Sequence, residues 1–253
     1  MPLLEVNGIS KRFGGLLAVD KVNFEVNEGE IVSIIGPNGA GKTTIFNLLT
    51  GIYDLTEGTI KFNGQIISGK TPQEVLNCGI ARTFQNIRLF KNMRVIENVL
   101  VGMTTKINYG FWSSIFRTTK YKICEKDAQL KALKILEEIG MKEKVNEYAS
   151  NLPYGDQRKL EIARALATGA KLILLDEPAA GMNPYESQEL LKFIKKLKEQ
   201  NFTILMIEHD MNVVMNISDR IYVIDYGKCI ASGVPTEIAQ NPKVISAYLG
   251  GEI

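Results

Sequence analysis

The sequence predicts an α/β fold with a mainly parallel sheet, an antiparallel β portion and a helical lobe. Three observations predict it. A glycine-rich string ending in Lys42-Thr43 stands between a short apolar run and a helix-like run. Apolar strand-like runs alternate with helix-like runs from Lys159 onward, which favours parallel strands with right-handed crossovers. Between about Asn86 and Ser150 the pattern becomes mostly helical.

The first stretch of the chain, up to about Gly64, predicts the antiparallel portion. Residues 22–26 alternate apolar and polar side chains, which is typical of a half-exposed strand. Residues 59–62 precede Asn63-Gly64, a dipeptide that favours a tight hairpin turn. We therefore expect antiparallel strands beside the strand at residues 30–35.

The glycine-rich string is a complete G-x-x-x-x-G-K-[ST] phosphate loop, which predicts a P-loop NTPase core. It consists of Gly36, Pro37, Asn38, Gly39, Ala40, Gly41, Lys42 and Thr43, and the predicted nucleotide site also includes Thr44. Glycines let successive backbone N–H groups point at phosphate oxygens, and the following helix adds its positive dipole end. We expect Lys42 to reach the β- and γ-phosphates and the Thr43 hydroxyl to hold Mg²⁺.

The middle of the chain predicts a helical lobe. Residues 93–100 favour a helix, and residues 128–139 place Leu130, Leu133, Leu136 and Ile139 at three-residue steps before Gly140, a plausible stop. Residues 104–122 are rich in aromatic side chains. That stretch is either a packed insertion or a contact surface, and packing is the favoured interpretation.

The last part of the chain returns to alternating helices and strands. We expect helices at residues 160–167 and 185–199, and buried strands at residues 171–175 and 203–207. In the second helix Leu190, Leu191, Ile194 and Leu197 share one predicted face. Residues 221–224 and 229–231 flank Tyr226-Gly227 and predict a terminal hairpin.

Composition bounds the class of protein. The 253 residues carry 45% hydrophobic and 23% charged side chains, which is ordinary for a globular protein. A net charge of +2 neither requires nor excludes nucleic acid as a partner. No apolar run approaches the roughly 20 residues that span a bilayer, and no signal peptide is apparent. The three cysteines, Cys78, Cys124 and Cys229, are widely separated, which favours ordinary thiols over a metal site. Their odd number fits a reducing compartment.

Carboxylates and the one histidine follow two of the predicted strands. Asp176 and Glu177 end the strand at 171–175, and His209 comes just after the strand at 203–207. The carboxyl ends of parallel strands form the edge where such sheets bind ligands. We therefore expect Asp176 to bind Mg²⁺, largely through water, Glu177 to activate the attacking water, and His209 to contact the γ-phosphate.

The order of these motifs resembles the ATPase subunit of an ABC transporter, over nearly the whole chain. It runs from the phosphate loop through Gln85, residues 152–157 and residues 172–177 to His209. The resemblance implies that Phe13 stacks on adenine. It also implies that Gln85 contacts Mg²⁺ and the water at the base of the helical lobe. Residues 1–85 and 159–253 would form the RecA-like core with its antiparallel β portion, and residues 86–158 would form the helical lobe, including the signature stretch.

The signature stretch departs from the commonest string of that family, Leu-Ser-Gly-Gly-Gln. Pro153 replaces the serine and Tyr154 the first glycine, so the usual hydroxyl contact to phosphate cannot form. The resemblance still assigns nucleotide binding to Tyr154, Gly155, Asp156 and Gln157, through backbone amides and a helix start. Asn183 stands in a loop that usually carries an Asp.

Residues 152–158, 161–167 and 176–183 together are similar to the ATPases of branched-chain amino-acid importers. This resemblance implies ATP and Mg²⁺ as cofactors and a second ATPase subunit that closes over the bound ATP. It further implies transmembrane permease partners, an indirect link to a solute-binding protein, no nucleic acid, and a peripheral place on the cytoplasmic face of the membrane. The alternative is a soluble ABC-type ATPase that acts on the ribosome or DNA.

Overall fold

The computed structural model describes residues 2–104 and 118–249. These residues form two compact units. The chain up to Gln85 and from Lys171 onward makes the first unit, and Asn86–Ala170 makes the second. Most of the aromatic-rich stretch predicted at 104–122 lies outside the described residues, as do Gly250 and the residues after it. No helix in the described ranges combines the length and apolar character that crossing a bilayer needs.

The first unit contains two sheets, and the predicted α/β fold is confirmed. Its strands are β1 (Leu4–Phe13), β2 (Leu16–Val26), β3 (Ile31–Ile35), β4 (Glu57–Phe62), β5 (Gln65–Ile66), β6 (Ile80–Arg82), β7 (Leu172–Asp176), β8 (Thr203–Ile207), β9 (Arg220–Asp225) and β10 (Lys228–Gly233). One sheet is antiparallel in the order β2-β1-β4-β5. The other has the order β10-β9-β3-β8-β7-β6 and is parallel except for the β9–β10 hairpin.

The central strands of the parallel sheet are short apolar runs because both of their faces are covered. All five residues of β3, of β7 and of β8 are buried. Buried side chains from the antiparallel sheet, such as Leu4 and Ile60, join Ile34 and Leu174 in one hydrophobic core. The predicted hairpin at Tyr226-Gly227 is confirmed, with Lys228 paired to Asp225.

The described part of the first unit also contains helices, and the two ends of one of them have clear chemical reasons. They are α1 (Lys42–Leu49), α2 (Pro72–Cys78), α6 (Pro184–Glu199), α7 (Met211–Ile217), α8 (Pro235–Ala239) and α9 (Pro242–Leu249). Thr71 and Glu74 form a capping box at the start of α2, and Gly79 ends that helix with φ 108°. On α6 the buried face is Leu190, Phe193, Ile194 and Leu197, so Phe193 takes the place predicted for Leu191.

The second unit is helical, as predicted for the lobe. It contains α3 (Val95–Met103), α4 (Thr119–Glu138) and α5 (Tyr154–Ala167), with short 3₁₀ turns at Lys142–Lys144 and Ala149–Asn151. The buried face of α4 is Ala128, Ala132 and Leu136, at four-residue spacing, whereas Leu130 and Leu133 are exposed.

The predicted boundary between the lobe and the rest of the chain, at residue 158, needs correction. It falls inside α5, a continuous helix that packs against α3 and α4 within the second unit. The division falls instead between Ala170 and Lys171, just before β7. A helix belongs to the unit that its side chains pack against, and the sequence pattern does not show which elements those are.

Candidate active site

Four neighbouring strands of the parallel sheet deliver the predicted catalytic residues to one edge. The sheet order is β3-β8-β7-β6. The phosphate loop follows β3, His209 follows β8, Asp176 and Glu177 stand at the end of β7, and Gln85 follows β6. Because these strands are parallel, their carboxyl ends share an edge, and side chains that are far apart in sequence meet there.

The phosphate loop requires glycine at its two ends for steric reasons. Gly36 has φ 149° and Gly41 has φ 105°, both conformations that other residues rarely adopt. A Cβ at Gly36 would collide with the carbonyl oxygen of Ile224, and one at Gly41 would lie 2.6 Å from the carbonyl oxygen of Ala18. The backbone N–H of Gly227 also donates to the Ala40 carbonyl at 2.9 Å. The hairpin turn therefore supports the loop from outside.

Helix α1 begins without any side chain on its first N–H groups. Gly41 is its N-cap, it has no side-chain cap, and no acidic residue stands in the first turn. The first N–H groups of a helix need an acceptor, and the helix dipole favours an anion there. This arrangement fits a phosphate group.

The Lys42 side chain is folded back onto the phosphate loop. Its Nζ donates to the carbonyl oxygens of Gly36 at 2.6 Å and Pro37 at 2.9 Å, and the side chain is buried. Burial lowers the pKa of the ammonium group below its usual value, and the negative charges of Glu177 and Asp176 oppose that shift. The Lys42 amino group therefore lies at the loop where phosphate would bind.

A cavity of about 510 Å³ lies over the phosphate loop, within the size range of small-molecule sites. Residues from Asn38 to Thr44 line it, together with Phe13, Leu16, Glu177 and the turn at Tyr226 and Gly227. Gly36, Pro37, Asp176, Gln85 and His209 do not line this cavity. A larger cavity of about 810 Å³ borders the loop at Pro37 to Ala40, but Lys42 and Glu177 are not part of its wall.

Glu177 is the centre of the predicted catalytic group. Gln85 Nε2 donates to Glu177 Oε2 at 2.8 Å, and His209 Nδ1 lies 3.6 Å from the same oxygen. Glu177 has φ 45°, a conformation that costs energy for a residue with a Cβ and that recurs at functional sites. The structure therefore brings Gln85 and His209 to Glu177, and of these three residues Glu177 lines the cavity over the phosphate loop.

Asp176 has a partner that the sequence interpretation missed. Arg82 Nη2 contacts Asp176 Oδ2 at 2.6 Å, and both side chains are almost fully buried. Arg82 Nη1 also donates to Asn47 Oδ1 at 2.7 Å, so the guanidinium joins β6, β7 and α1. Arg82 ends a short apolar run, and nothing in its local pattern marks it as the partner of a carboxylate.

The donor set at this edge fits the predicted Mg²⁺. Mg²⁺ prefers oxygen ligands and usually keeps several waters, with substrate phosphates completing its shell. The hydroxyl of Thr43, the carboxylate of Asp176 and the side-chain amide of Gln85 are oxygen ligands of this kind. Within residues 2–104 and 118–249, no three His, Cys, Asp or Glu side chains group to hold a metal.

Glu208 is a second residue whose role the sequence did not indicate. It is fully buried, and its carboxylate accepts the backbone N–H of Ala179 at 2.9 Å and that of His209 at 3.1 Å. Burial raises the pKa of Glu208 above its usual value, and its backbone hydrogen bonds oppose that shift. Glu208 thereby fixes the loops that follow β7 and β8, the loops that carry Glu177 and His209.

The residues of the signature stretch lie in the second unit. Pro153 precedes α5, whose start has no side-chain cap. Asp156 forms an ion pair with Lys144, and Gln157 Nε2 donates to the Leu152 carbonyl at 2.8 Å. Tyr154 is exposed. Tyr154, Gly155, Asp156 and Gln157 form the first turn of α5, which has no side-chain cap and in which Asp156 is the acidic residue.

Asn183, the residue at the place of the family's usual Asp, has a structural role. Its side-chain oxygen accepts the N–H of Glu186 at 3.0 Å, and the Glu186 carboxylate accepts the N–H of Asn183 at 3.1 Å. This capping box begins α6. An amide serves as an N-cap about as well as a carboxylate does, which explains why Asn is accepted here.

With this geometry established, comparison with known families identifies the class of protein. The ABC transporter family matches residues 19–180, and the chain belongs to that family. This membership confirms the resemblance seen in the sequence and the predicted activity, an ATPase coupled to transport. Residues 228–253 match a second family, described as branched-chain amino acid ATP-binding cassette transporter.

Individual relatives are similar over almost their whole length. The high-affinity branched-chain amino acid transport ATP-binding protein LivG of Escherichia coli K12 is 52% identical over 250 residues, covering 98% of each chain. The corresponding protein BraF of Pseudomonas aeruginosa is 50% identical with the same coverage. The solved ADP conformation of an ATP-binding cassette of an ABC transporter matches with a TM-score of 0.85 and 35% identity, covering 99% of this chain and 100% of that one.

Proposed function

We propose that this ATPase powers an importer for branched-chain amino acids from the cytoplasmic face of a cell membrane. The arrangement of Glu177, Gln85 and His209 beside the phosphate-loop cavity carries the catalytic part of this proposal. The names of LivG and BraF, both described as branched-chain amino acid transport proteins, support the cargo class. Neither name supports the alternative of an ATPase that acts on the ribosome or DNA, and nucleic acid has no part in the proposal.

ATP is the substrate, and the cavity binds it from the phosphate end. The N–H groups of the loop and of the first turn of α1 donate to the phosphate oxygens. Lys42 exchanges its hydrogen bonds to the Gly36 and Pro37 carbonyls for the β- and γ-phosphates. Phe13, exposed at the cavity wall, stacks on adenine. Thr43 and Thr44 stand in the first turn of α1, beside the phosphates.

Hydrolysis is assigned to the residues around Glu177. Its carboxylate holds the attacking water and takes a proton from it. The amide of Gln85 fixes the carboxylate through the hydrogen bond at Oε2, and His209 donates to the γ-phosphate from the neighbouring strand end. Thr43, Asp176 and Gln85 would hold Mg²⁺, which when bound neutralises the charge that develops on the phosphates.

A second ATPase subunit completes the site. The first turn of α5 in one subunit, Tyr154 to Gln157, faces the γ-phosphate of the other subunit and binds it through N–H groups. Because Pro153 has neither a hydroxyl nor an N–H, these amides carry the contact. Binding of ATP therefore closes the dimer and hydrolysis opens it, a population shift that the second unit passes to permease subunits. A solute-binding protein takes part indirectly, on the far side of the permease.

The substitution Glu177→Gln tests the catalytic assignment. We expect the variant to bind MgATP with unchanged affinity but to lose turnover by a factor of at least about 100, because an amide cannot accept the proton. Calorimetric ATP binding and phosphate release are the measurements. Glu199→Gln, an exposed change on α6, is the matched control and keeps full turnover. Equal rates in Glu177→Gln and in the parent would remove Glu177 from the role of base.

Reconstitution tests the cargo. The protein is combined in lipid vesicles with the permease subunits encoded near its gene and with their solute-binding protein. We expect ATP-dependent uptake of labelled leucine, with competition by isoleucine and valine and none by a polar amino acid. Uptake of leucine that does not depend on ATP, or ATP-dependent uptake of another solute class alone, contradicts the proposed cargo.

A further inference from the structure

Phe13, the residue assigned to stack on adenine, does not stand alone. The residue is 41% exposed and lies at the end of β1. The Tyr53 ring meets it edge-on, with centroids 5.2 Å apart and an angle of 77° between the planes. Lys11 Nζ lies 5.1 Å from the centre of the Phe13 ring and 5.7 Å from that of Tyr53. Three side chains thus form one cation–aromatic cluster.

The three residues differ in what they present to the cavity. Phe13 lines the cavity over the phosphate loop, together with Leu16 and Lys42. Lys11 and Tyr53 do not line it. They contact the Phe13 ring without being part of the cavity wall. A base in the cavity would therefore stack on the part of the ring that neither of them covers.

Hydrogen bonds tie this cluster to the phosphate-binding helix. Lys11 Nζ donates to the Asp54 carbonyl at 2.7 Å, which fixes the ammonium between the two rings. The backbone N–H of Tyr53 donates to the Asn47 carbonyl, in α1, at 3.1 Å. The Arg12 N–H donates to Thr56 Oγ1 at 3.0 Å. The segment after α1 therefore sets the distance between the aromatic ring and the helix that begins at the phosphate loop.

We propose that Lys11 and Tyr53 are positioning residues for nucleobase recognition, because they hold the Phe13 ring at a fixed place against the base. The inference rests on the proposed ATP binding and adds to it. Lys11 contributes through the ring quadrupole and through its bond to Asp54, and Tyr53 through its edge contact. Neither residue touches the phosphates, so their contribution is confined to the base end of the ligand.

The test compares a probe that carries a nucleoside with one that has phosphates only. One is β,γ-imido-ATP with Mg²⁺, and the other is inorganic tripolyphosphate with Mg²⁺, both titrated calorimetrically. We expect Lys11→Met and Tyr53→Leu each to weaken nucleotide binding about two- to fivefold, the size of effect that a surface cation–π or aromatic pair has. Tripolyphosphate affinity stays unchanged. Lys11→Arg, which keeps a cation over the ring, keeps the nucleotide affinity of the parent.

A double-substitution cycle separates positioning from general damage. Phe13→Ala alone weakens nucleotide binding about tenfold or more, since base–aromatic stacking is lost. Adding Lys11→Met to Phe13→Ala then has no further effect, because the ring that Lys11 positions is absent. Lys61→Met, on β4 of the same sheet, is the control and leaves both affinities at the parent values.

The outcomes distinguish this inference from the proposed function. Equal weakening of both probes by Lys11→Met, or an undiminished effect of Lys11→Met in the Phe13→Ala background, overturns the positioning role. Nucleotide affinity unchanged in both single variants also overturns it while leaving ATP binding intact. A parent protein that binds neither probe would instead overturn the proposed function itself.

Discussion

The ion pair between Arg82 and Asp176 gives a sharp prediction about stability. In the substitution Arg82→Met the guanidinium is lost while most of the side-chain length is kept. Asp176 then retains a carboxylate that is only 8% exposed, without its partner at 2.6 Å. Asn47 loses the donor at 2.7 Å in the same step. The variant therefore leaves a buried charge without its partner and a half-buried acceptor, Asn47, without this donor.

The size of the effect follows from the burial of the pair. Removing one member of a buried ion pair typically costs about 3–5 kcal/mol, because the remaining charge stays out of water. Lys42 is close enough to Asp176 for the two charges to interact, and it offsets part of the loss. We expect a loss of about 3 kcal/mol in the free energy of unfolding, or ~6–12 °C in the melting temperature for a chain of this size.

Urea unfolding followed by circular dichroism, without nucleotide, measures this loss. The control is Lys192→Met, which breaks an exposed ion pair of 2.8 Å with Glu189. That change should cost less than about 0.5 kcal/mol. In the double variant Arg82→Met with Asp176→Asn, the loss in the free energy of unfolding should be smaller than the sum of the two single-variant losses by at least ~1 kcal/mol. A cost for Arg82→Met no larger than that of Lys192→Met, or strict additivity, would refute the reasoning.

Two further changes test packing and charge. In Gly102→Ala, on α3, the new Cβ would collide with the Arg164 carbonyl oxygen and lie 3.1 Å from the Ala167 Cβ, so we expect a loss of ~1–3 kcal/mol in unfolding free energy. An unchanged urea midpoint would contradict this close contact between α3 and α5. Burial raises the pKa of Glu208, so the folded protein favours the protonated form of this carboxyl group. The stability of the parent relative to Glu208→Gln should therefore be greatest below the ordinary Glu pKa of 4.5 and fall as the pH rises through the raised pKa, as urea unfolding from pH 4 to pH 8 would show. A difference that does not vary with pH would contradict the assignment.

The strands of the parallel sheet were predictable because burial on both faces leaves a local mark. The runs at β3, β7 and β8 are short and mostly apolar, and all three are strands. The helix at α4 was predictable too, but its buried face was not. Ala128 and Ala132 are buried while Leu130 is exposed, because neighbouring helices rather than hydrophobicity choose the face.

Residues of the candidate site could be predicted where they follow one another in the sequence. The phosphate loop and the Asp176-Glu177 pair are each contiguous in sequence, so their roles can be inferred from a short string. Arg82 lies 94 residues before the carboxylate that it contacts, and Glu208 lies 29 residues after the N–H of Ala179 that it accepts. Such pairs have no local signature.

By itself the sequence determined the class of this protein, because a loop that cradles phosphate needs glycines and a lysine at fixed spacing. Only the tertiary structure decided how the site is held. The sheet order places the ends of β3, β8, β7 and β6 side by side, so Gln85 and His209 reach one oxygen of Glu177. The same order places buried charges such as Arg82 beside their partners. An unpaired charge in the interior would cost a large part of the net free energy of folding.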